Sequence, residues 1–307
     1  MTSWTAERIP DQTGRTIIVT GANSGLGLAT TRQLARRGAR VIMAVRDQAK
    51  GARAVAQLSD SQPGARLEVR RLDLADLDSV RAFAARLHAD QVPVDVLVNN
   101  AGVMTPPHSL SPQGQESQFA ANHLGHFALT GLLLDLLHGP DPRVVTVSSG
   151  LHRGGRIHYE DLTGARRYAP MAYYKQSKFA NVLFGLELDR RLRAAGSPVR
   201  SVLAHPGYAA TNLQTTGPTG AYRLLLRFAN RVFAQDVEMG ALPQLYAATA
   251  PGVESGQFFG PGGRGEMRGY PTLVQPDPAA TDAAEAQRLW QLSEQLTGVH
   301  YTTVATT

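Results

Sequence analysis

The apolar run Thr16-Ile17-Ile18-Val19 passes directly into Thr20-Gly21-Ala22-Asn23-Ser24-Gly25-Leu26-Gly27, and a helical pattern follows to about Arg37. The order is strand, tight turn, helix, the opening of a parallel α/β unit. Glycines let a backbone approach a ligand closely. The N-terminus of the helix behind them presents free N–H groups and the positive end of a dipole, so such a turn suits a pyrophosphate. The spacing here is Gly-x-x-x-Gly-x-Gly, which differs from the Gly-x-Gly-x-x-Gly fingerprint.

The same alternation continues along the chain. Strand-like runs lie near 16–20, 40–45, 66–71, 94–98, 142–148 and 198–204, and helical patterns near 25–37, 47–59, 76–90, 113–138, 172–195 and 281–297. Val94-Asp95-Val96-Leu97-Val98 and Val144-Val145-Thr146-Val147 are β-branched and almost continuously apolar, as strands covered on both faces are. The pattern predicts a parallel sheet with helices on both sides. With 307 residues, 43% of them hydrophobic, the chain is expected to form one elaborated domain. Two stretches break the alternation. Residues 150–171 are rich in Gly, His and Arg and read as a loop insertion, and 208–240 hold one amphipathic helix between loops. Ligands of open α/β sheets bind beyond the carboxyl ends of the strands, so both are expected to face a substrate.

Tyr174 and Lys178 stand four residues apart in a helical pattern and therefore share a face. A phenol beside a fixed cation is a candidate acid/base. Alone, this pair is commonly a surface feature. The glycine turn and the strand end Asn99-Asn100-Ala101-Gly102 change its weight.

With these pieces the chain resembles the short-chain dehydrogenase/reductase family. The matching segments follow the family's order: the glycine turn, Asp73, Asn99-Asn100-Ala101-Gly102, Asn122, Ser148-Ser149, Tyr174-x-x-x-Lys178, and Pro206-Gly207 followed by Thr211. Ser148-Ser149-Gly150-Leu151-His152, Ala44-Val45-Arg46-Asp47 and the stretch from Gln118 to Phe127 are similar to the retinol-dehydrogenase-like branch, with light-dependent protochlorophyllide reductases also similar. The resemblance implies a single doubly wound Rossmann domain over 1–307, with a mostly parallel seven-stranded sheet. Residues 1–14 form an N-terminal arm, 150–171 a loop insertion, 208–240 a substrate-covering helical segment, and 261–307 a C-terminal extension. It also implies a dinucleotide held by Gly21, Asn23, Ser24, Gly25, Leu26 and Gly27. Asp73 and Leu74 would lie beside the adenine, and Asn100, Ala101 and Gly102 along the cleft. Tyr174 and Lys178 would meet the nicotinamide ribose, and Pro206, Gly207 and Thr211 the nicotinamide.

The implied reaction interconverts an alcohol with a ketone or aldehyde by hydride transfer. Tyr174 can give the proton, and Lys178 favours its phenolate and lowers a pKa that is otherwise near 10. Ser149 can hold the developing oxyanion, with Ser148 as its neighbouring rival, and Tyr173 is the rival of Tyr174. From the family, Asn122 helps hold a water that relays protons towards Lys178. The residues alone leave two other readings open, a dinucleotide sensor without turnover and a reductase of an activated C=C bond.

Cofactor choice turns on the end of the second strand. An acid there would bond the adenosine 2′-hydroxyl and repel a 2′-phosphate. This chain has Val45 followed by Arg46, whose guanidinium suits a 2′-phosphate, so NADP(H) is expected. Asp47 is read as the cap of the next helix.

The remaining features narrow the class. Net charge is +6 and the pI about 9.8, yet Lys and Arg are spread along the chain without interleaved aromatics, so nucleic acid is not an expected partner. The chain has no cysteine, which removes disulfides and thiolate chemistry. No signal core or spanning segment is read, so a cytoplasmic protein without membrane contact is expected, with homo-oligomerisation left open. His123 and His126 lie one helical turn apart but lack an accompanying Glu, and no metal is expected. Residues 221–233 read as an amphipathic helix, with Leu225, Phe228, Ala229 and Val232 on one face and Arg223, Arg227 and Arg231 as a basic stripe.

Overall fold

In the computed structural model, which describes residues 3–208 and 236–301, the alternating pattern folds as one layered α/β unit. The elements run β1 (Thr16–Thr20), α1 (Gly25–Arg36), β2 (Arg40–Val45), α2 (Gln48–Ser61), β3 (Arg66–Arg71), α3 (Leu77–Ala89) and β4 (Val96–Asn99). A composite helix α4 follows, made of Ser117–Phe119, a π-helical turn Ala120–Leu124 and Gly125–Leu133. Then come β5 (Arg143–Val147), α5 (Pro170–Ala194), β6 (Arg200–Ala204), α6 (Val237–Thr249), β7 (Phe258–Pro261), β8 (Pro271–Leu273) and α7 (Ala283–Thr297).

The strand order is β3-β2-β1-β4-β5-β6-β7-β8, parallel throughout except for the antiparallel pair β7–β8. The sheet thus has eight strands where seven were expected. The eighth is three residues long, starts at Pro271 and is largely exposed, so it carries no alternation to detect. The helix α6 was also missed. Pro243 sits inside it, and an internal proline reads as a break. The loop insertion is irregular apart from the short 3₁₀ turns Gly150–His152 and Tyr159–Asp161. The amphipathic pattern at 221–233 and Thr211 lie outside the described residues.

Strand alternation divides the core between the two faces. Ile17, Val19 and Val45 pack with Ala29, Leu34 and Leu245 of α1 and α6. On the other face, Ile18 and Leu97 pack with Phe83, Phe127, Phe184 and Trp290 of α3, α4, α5 and α7. The chain runs outward through β1, β2 and β3, then returns to lay β4 against the other side of β1. That reversal leaves a crevice at the carboxyl ends of β1 and β4, where ligands of such sheets bind.

Candidate active site

The glycine turn closes β1 onto α1 as the sequence predicts. Gly21 has φ +65°, and its N–H donates to Ala44 O at 2.9 Å, which ties the turn to the end of β2. Gly27 is required by close approach, since a Cβ there would lie 2.4 Å from Gly21 O and 2.7 Å from Asn100 Nδ2. Ser24 is the N-cap of α1 but makes no side-chain cap, so the first N–H groups of the helix remain open to an anion. Asn23, Gly25 and Leu26 are half-buried around this opening, and Ser24 is exposed.

Thr20 supports the turn from below. Its Oγ1 accepts the N–H groups of Asn100 at 3.0 Å and Ala101 at 2.9 Å, and its carbonyl accepts Asn100 Nδ2 at 2.8 Å. Asn100 Oδ1 in turn accepts Gln244 Nε2 of α6 at 3.1 Å. Asn99 is a strut that donates to Thr130 Oγ1 at 2.9 Å. Asp73 accepts Ala75 N–H at 3.1 Å and shapes its own turn. The cap of α3 is Asp76. Leu74 is buried, and its carbonyl lies against Gly125 of α4.

Ser149, Tyr174 and Lys178 converge beyond β5. All three are buried, and Ser149 is near enough to Tyr174 to favour its phenolate. Ser148 is committed elsewhere, its Oγ donating to Lys178 O at 2.8 Å. The phenol of Tyr173 points away, donates to Asp161 O and stacks on His158. Ser148 and Tyr173 are thus both held by partners other than Ser149 and Tyr174. Lys178 Nζ donates to Val147 O at 3.2 Å, and its two other protons are open to a ligand. A side chain at Gly102 would lie 3.4 Å from that ammonium and 3.3 Å from Asn122 Oδ1, so a glycine keeps the space between β4 and Lys178 clear.

Burial dominates the protonation of this pair. It pushes the Tyr174 phenol up to about 12, against the opposing influence of Ser149, and Lys178 down to about 8. The expected lowering of Tyr174 by Lys178 is therefore overruled by desolvation, which drives both groups towards their neutral forms.

Asn122 sits in the π-helical turn, a distortion frequent at functional sites. Its Oδ1 accepts Val103 N–H at 2.7 Å, and its Nδ2 donates to Val103 O and to Ser177 Oγ, both at 2.9 Å. The side chain is fully used in fastening the segment after β4 to α4 and α5. His126 Nδ1 lies 3.0 Å from the Asn122 carbonyl.

At the far end of the crevice Arg46 is exposed just past β2, and Asp47 caps α2 by accepting Lys50 N–H at 3.0 Å, as expected. Arg71 is also exposed. It ends β3 in register with Val45, one residue before Arg46. At the other end Pro206 and Gly207 follow β6. His123 and His126 do not converge. His123 faces Ser293 at 2.8 Å and His126 faces Thr20 at 2.9 Å, and no cluster of three His, Cys, Asp or Glu suited to a metal occurs among the described residues. Sequence reasoning missed Gln244, His126 as a partner of Thr20, and Arg71. Each is joined to the site by sheet order or helix packing, which leaves no local motif.

The profile of the short chain dehydrogenase family matches residues 15–219. The chain belongs to the short-chain dehydrogenase/reductase family, and it is an oxidoreductase with a nicotinamide dinucleotide site. Mouse retinol dehydrogenase 14 is 42% identical over 93% of this chain and 86% of its own length. Mouse polyprenol dehydrogenase is 41% identical over 94% and 86%. A crystal structure of an uncharacterised protein from Mycobacterium paratuberculosis is 46% identical, with a TM-score of 0.81 over 98% of this chain and 100% of that one. Within the family, the chain falls in the retinol-dehydrogenase-like branch.

Proposed function

We propose that the chain is an NADP(H)-dependent oxidoreductase that interconverts an apolar alcohol with its aldehyde or ketone, with Tyr174 as acid/base. The observation that carries this reading is the buried contact of Ser149 with Tyr174, one helical turn from Lys178, beside the cleft of the glycine turn. The residues fit a dinucleotide. The open N-terminus of α1 suits the pyrophosphate, the unused protons of Lys178 suit ribose hydroxyls, and the exposed Arg46 suits a 2′-phosphate.

The bound dinucleotide supplies the hydride in reduction and accepts it in oxidation. Ser149 Oγ holds the carbonyl oxygen of the substrate. Tyr174 stands fully protonated at neutral pH, ready to donate to that oxygen, and the ammonium of Lys178 stabilises the phenolate left behind. Asn122 keeps the Val103 backbone and the π-helical turn in place beside Lys178. An apolar substrate is supported by relatives named for retinol and polyprenol dehydrogenation.

The test is oxidation of NADPH and of NADH, followed spectroscopically against a panel of aliphatic aldehydes, ketones and retinaldehyde. The expected result is faster turnover with NADPH and an alcohol product. A saturated carbonyl product would assign C=C reduction instead. Cofactor binding without turnover on any substrate would favour a sensor.

A further inference from the structure

The segment after β7 reaches back over two loops of the site. Gly207 has φ +66°, and a Cβ on it would lie 2.5 Å from Met267 O and 2.9 Å from Glu266 O, so the loop after β6 is pressed against this segment. Tyr208 N–H donates to Met267 O at 2.9 Å. His205, fully buried, links the two by its ring. Its Nδ1 accepts Gly207 N–H at 3.2 Å, which places the ring proton on Nε2, and Nε2 donates to Glu266 Oε2 at 2.9 Å. The other carboxylate oxygen, Oε1, accepts Arg153 Nη2 at 2.8 Å, and Arg153 lies four residues beyond Ser149.

A second histidine repeats the arrangement one loop away. His152 Nδ1 donates to Ser149 O at 2.7 Å, and its Nε2 accepts Asp277 N–H at 3.0 Å. The two rings flank Phe258 of β7, with centroids at 5.5 and 5.3 Å. Glu266 itself is held at φ +55°, a conformation that is strained for a non-glycine residue and persists where surrounding contacts fix it. The hydrogen bond from His205, with Arg153 nearby, keeps its carboxyl below the usual carboxylate range.

We propose that Glu266 is a positioning residue for the nicotinamide end of the dinucleotide, holding the Pro206–Gly207 loop through His205 and the Ser149 loop through Arg153. The inference rests on the reading of this cleft as an NADP(H) site. It adds a part of the chain beyond the family match, which ends at residue 219. The carboxylate touches neither substrate nor cofactor in this scheme. It acts by fixing where two loops stand relative to each other.

The test compares two ligands. NADPH carries the nicotinamide, and adenosine 2′,5′-bisphosphate does not. Both are titrated onto wild-type protein and onto Glu266→Ala and Glu266→Gln, with NADPH followed by its fluorescence and the bisphosphate by calorimetry. Thermal melting confirms that each variant is folded. Arg153→Gln removes the outer tie from a partly exposed position and serves if Glu266→Ala does not fold. The loss of one charge-assisted tie predicts NADPH affinity lower by about five- to fiftyfold in Glu266→Ala, with bisphosphate affinity within about twofold of wild type. Glu266→Gln, which keeps an acceptor for His205, should recover most of the loss, and Arg153→Gln should show the same split in weaker form. Equal losses for both ligands, or no loss for either, would overturn the proposal. Wild-type protein that binds neither ligand would overturn the cofactor reading itself, a result distinct from any behaviour of the variants.

Discussion

Thr20 Oγ1 and His126 Nε2 lie 2.9 Å apart in the closed interior, and this contact joins the glycine turn to the helix that carries Asn122. The direction of the bond follows from the neighbours. His126 Nδ1 faces the Asn122 carbonyl, which only accepts, so the ring proton is there and Nε2 accepts from the Thr20 hydroxyl. Burial, with the charge of Lys178 nearby, lowers His126 to about 4, so the ring stays neutral and the arrangement holds across the physiological range.

Thr20→Val keeps the shape and removes the oxygen. Ala101 N–H then loses its acceptor and His126 Nε2 its donor, while Asn100 N–H retains Val98 O. Orphaned buried groups of this kind make the expected loss about 2–4 kcal/mol, read as a lower denaturation midpoint in urea with an unchanged slope. Thr20→Ser retains the oxygen and should cost much less. Equal losses in the two variants would mean that the methyl, not the hydroxyl, matters.

The contrast between Thr20 and Gln244 shows what a sequence makes legible here. The strands β1 to β6, the glycine turn and the Tyr174–Lys178 face follow from local rules of spacing and alternation, and the structure has them where those rules put them. That Ser148 turns to Lys178 O and Tyr173 to Asp161 O depends on side-chain directions, which one-residue offsets along the chain do not reveal. Gln244 and Glu266 reach the site only because α6 and the turn after β7 pack back onto it, and no local pattern announces such long-range closure. The pKa expectation for Tyr174 failed for a related reason. Burial is a tertiary quantity, and it outweighs the charge that spacing made visible.

Tyr174→Phe retains the ring and deletes the transferable proton. Turnover is expected to fall by about a hundred- to ten-thousandfold, with NADPH binding by fluorescence retained. Tyr173→Phe removes a hydrogen bond to the insertion at Asp161 and should alter stability rather than the chemical step. The reverse pattern would reassign the acid/base.

The pH dependence follows from Lys178. Its pKa is lowered to about 8 by burial, so it is charged below that value and neutral above it. In the proposed mechanism carbonyl reduction would use the ammonium to stabilise the Tyr174 phenolate, so the reduction rate should decline as pH rises through about 8, while Tyr174, pushed up to about 12, remains protonated. Lys178→Arg keeps its charge at every accessible pH. Whatever activity that variant retains should be flat through this range, and a decline unchanged in it would assign the titration to another group.

Arg46 and Arg71 stand at neighbouring strand ends, both exposed, at the edge of the crevice where the ribose of the adenosine half would lie. Arg71 shares its face of β3 with Val69, which packs under α2, so it points to the side that α2 covers. Arg46→Ala is expected to weaken NADPH binding by about ten- to a hundredfold and leave NADH nearly unchanged, because only a 2′-phosphate offers the anion. Arg71→Ala should act in the same direction and more weakly, since it approaches from the next strand. Added salt should shrink both effects, as exposed charge pairs are screened. Parallel losses for NADPH and NADH in Arg46→Ala would show that the guanidinium supports the loop rather than the phosphate, and any NADP(H) preference would then have to rest on other residues of the crevice.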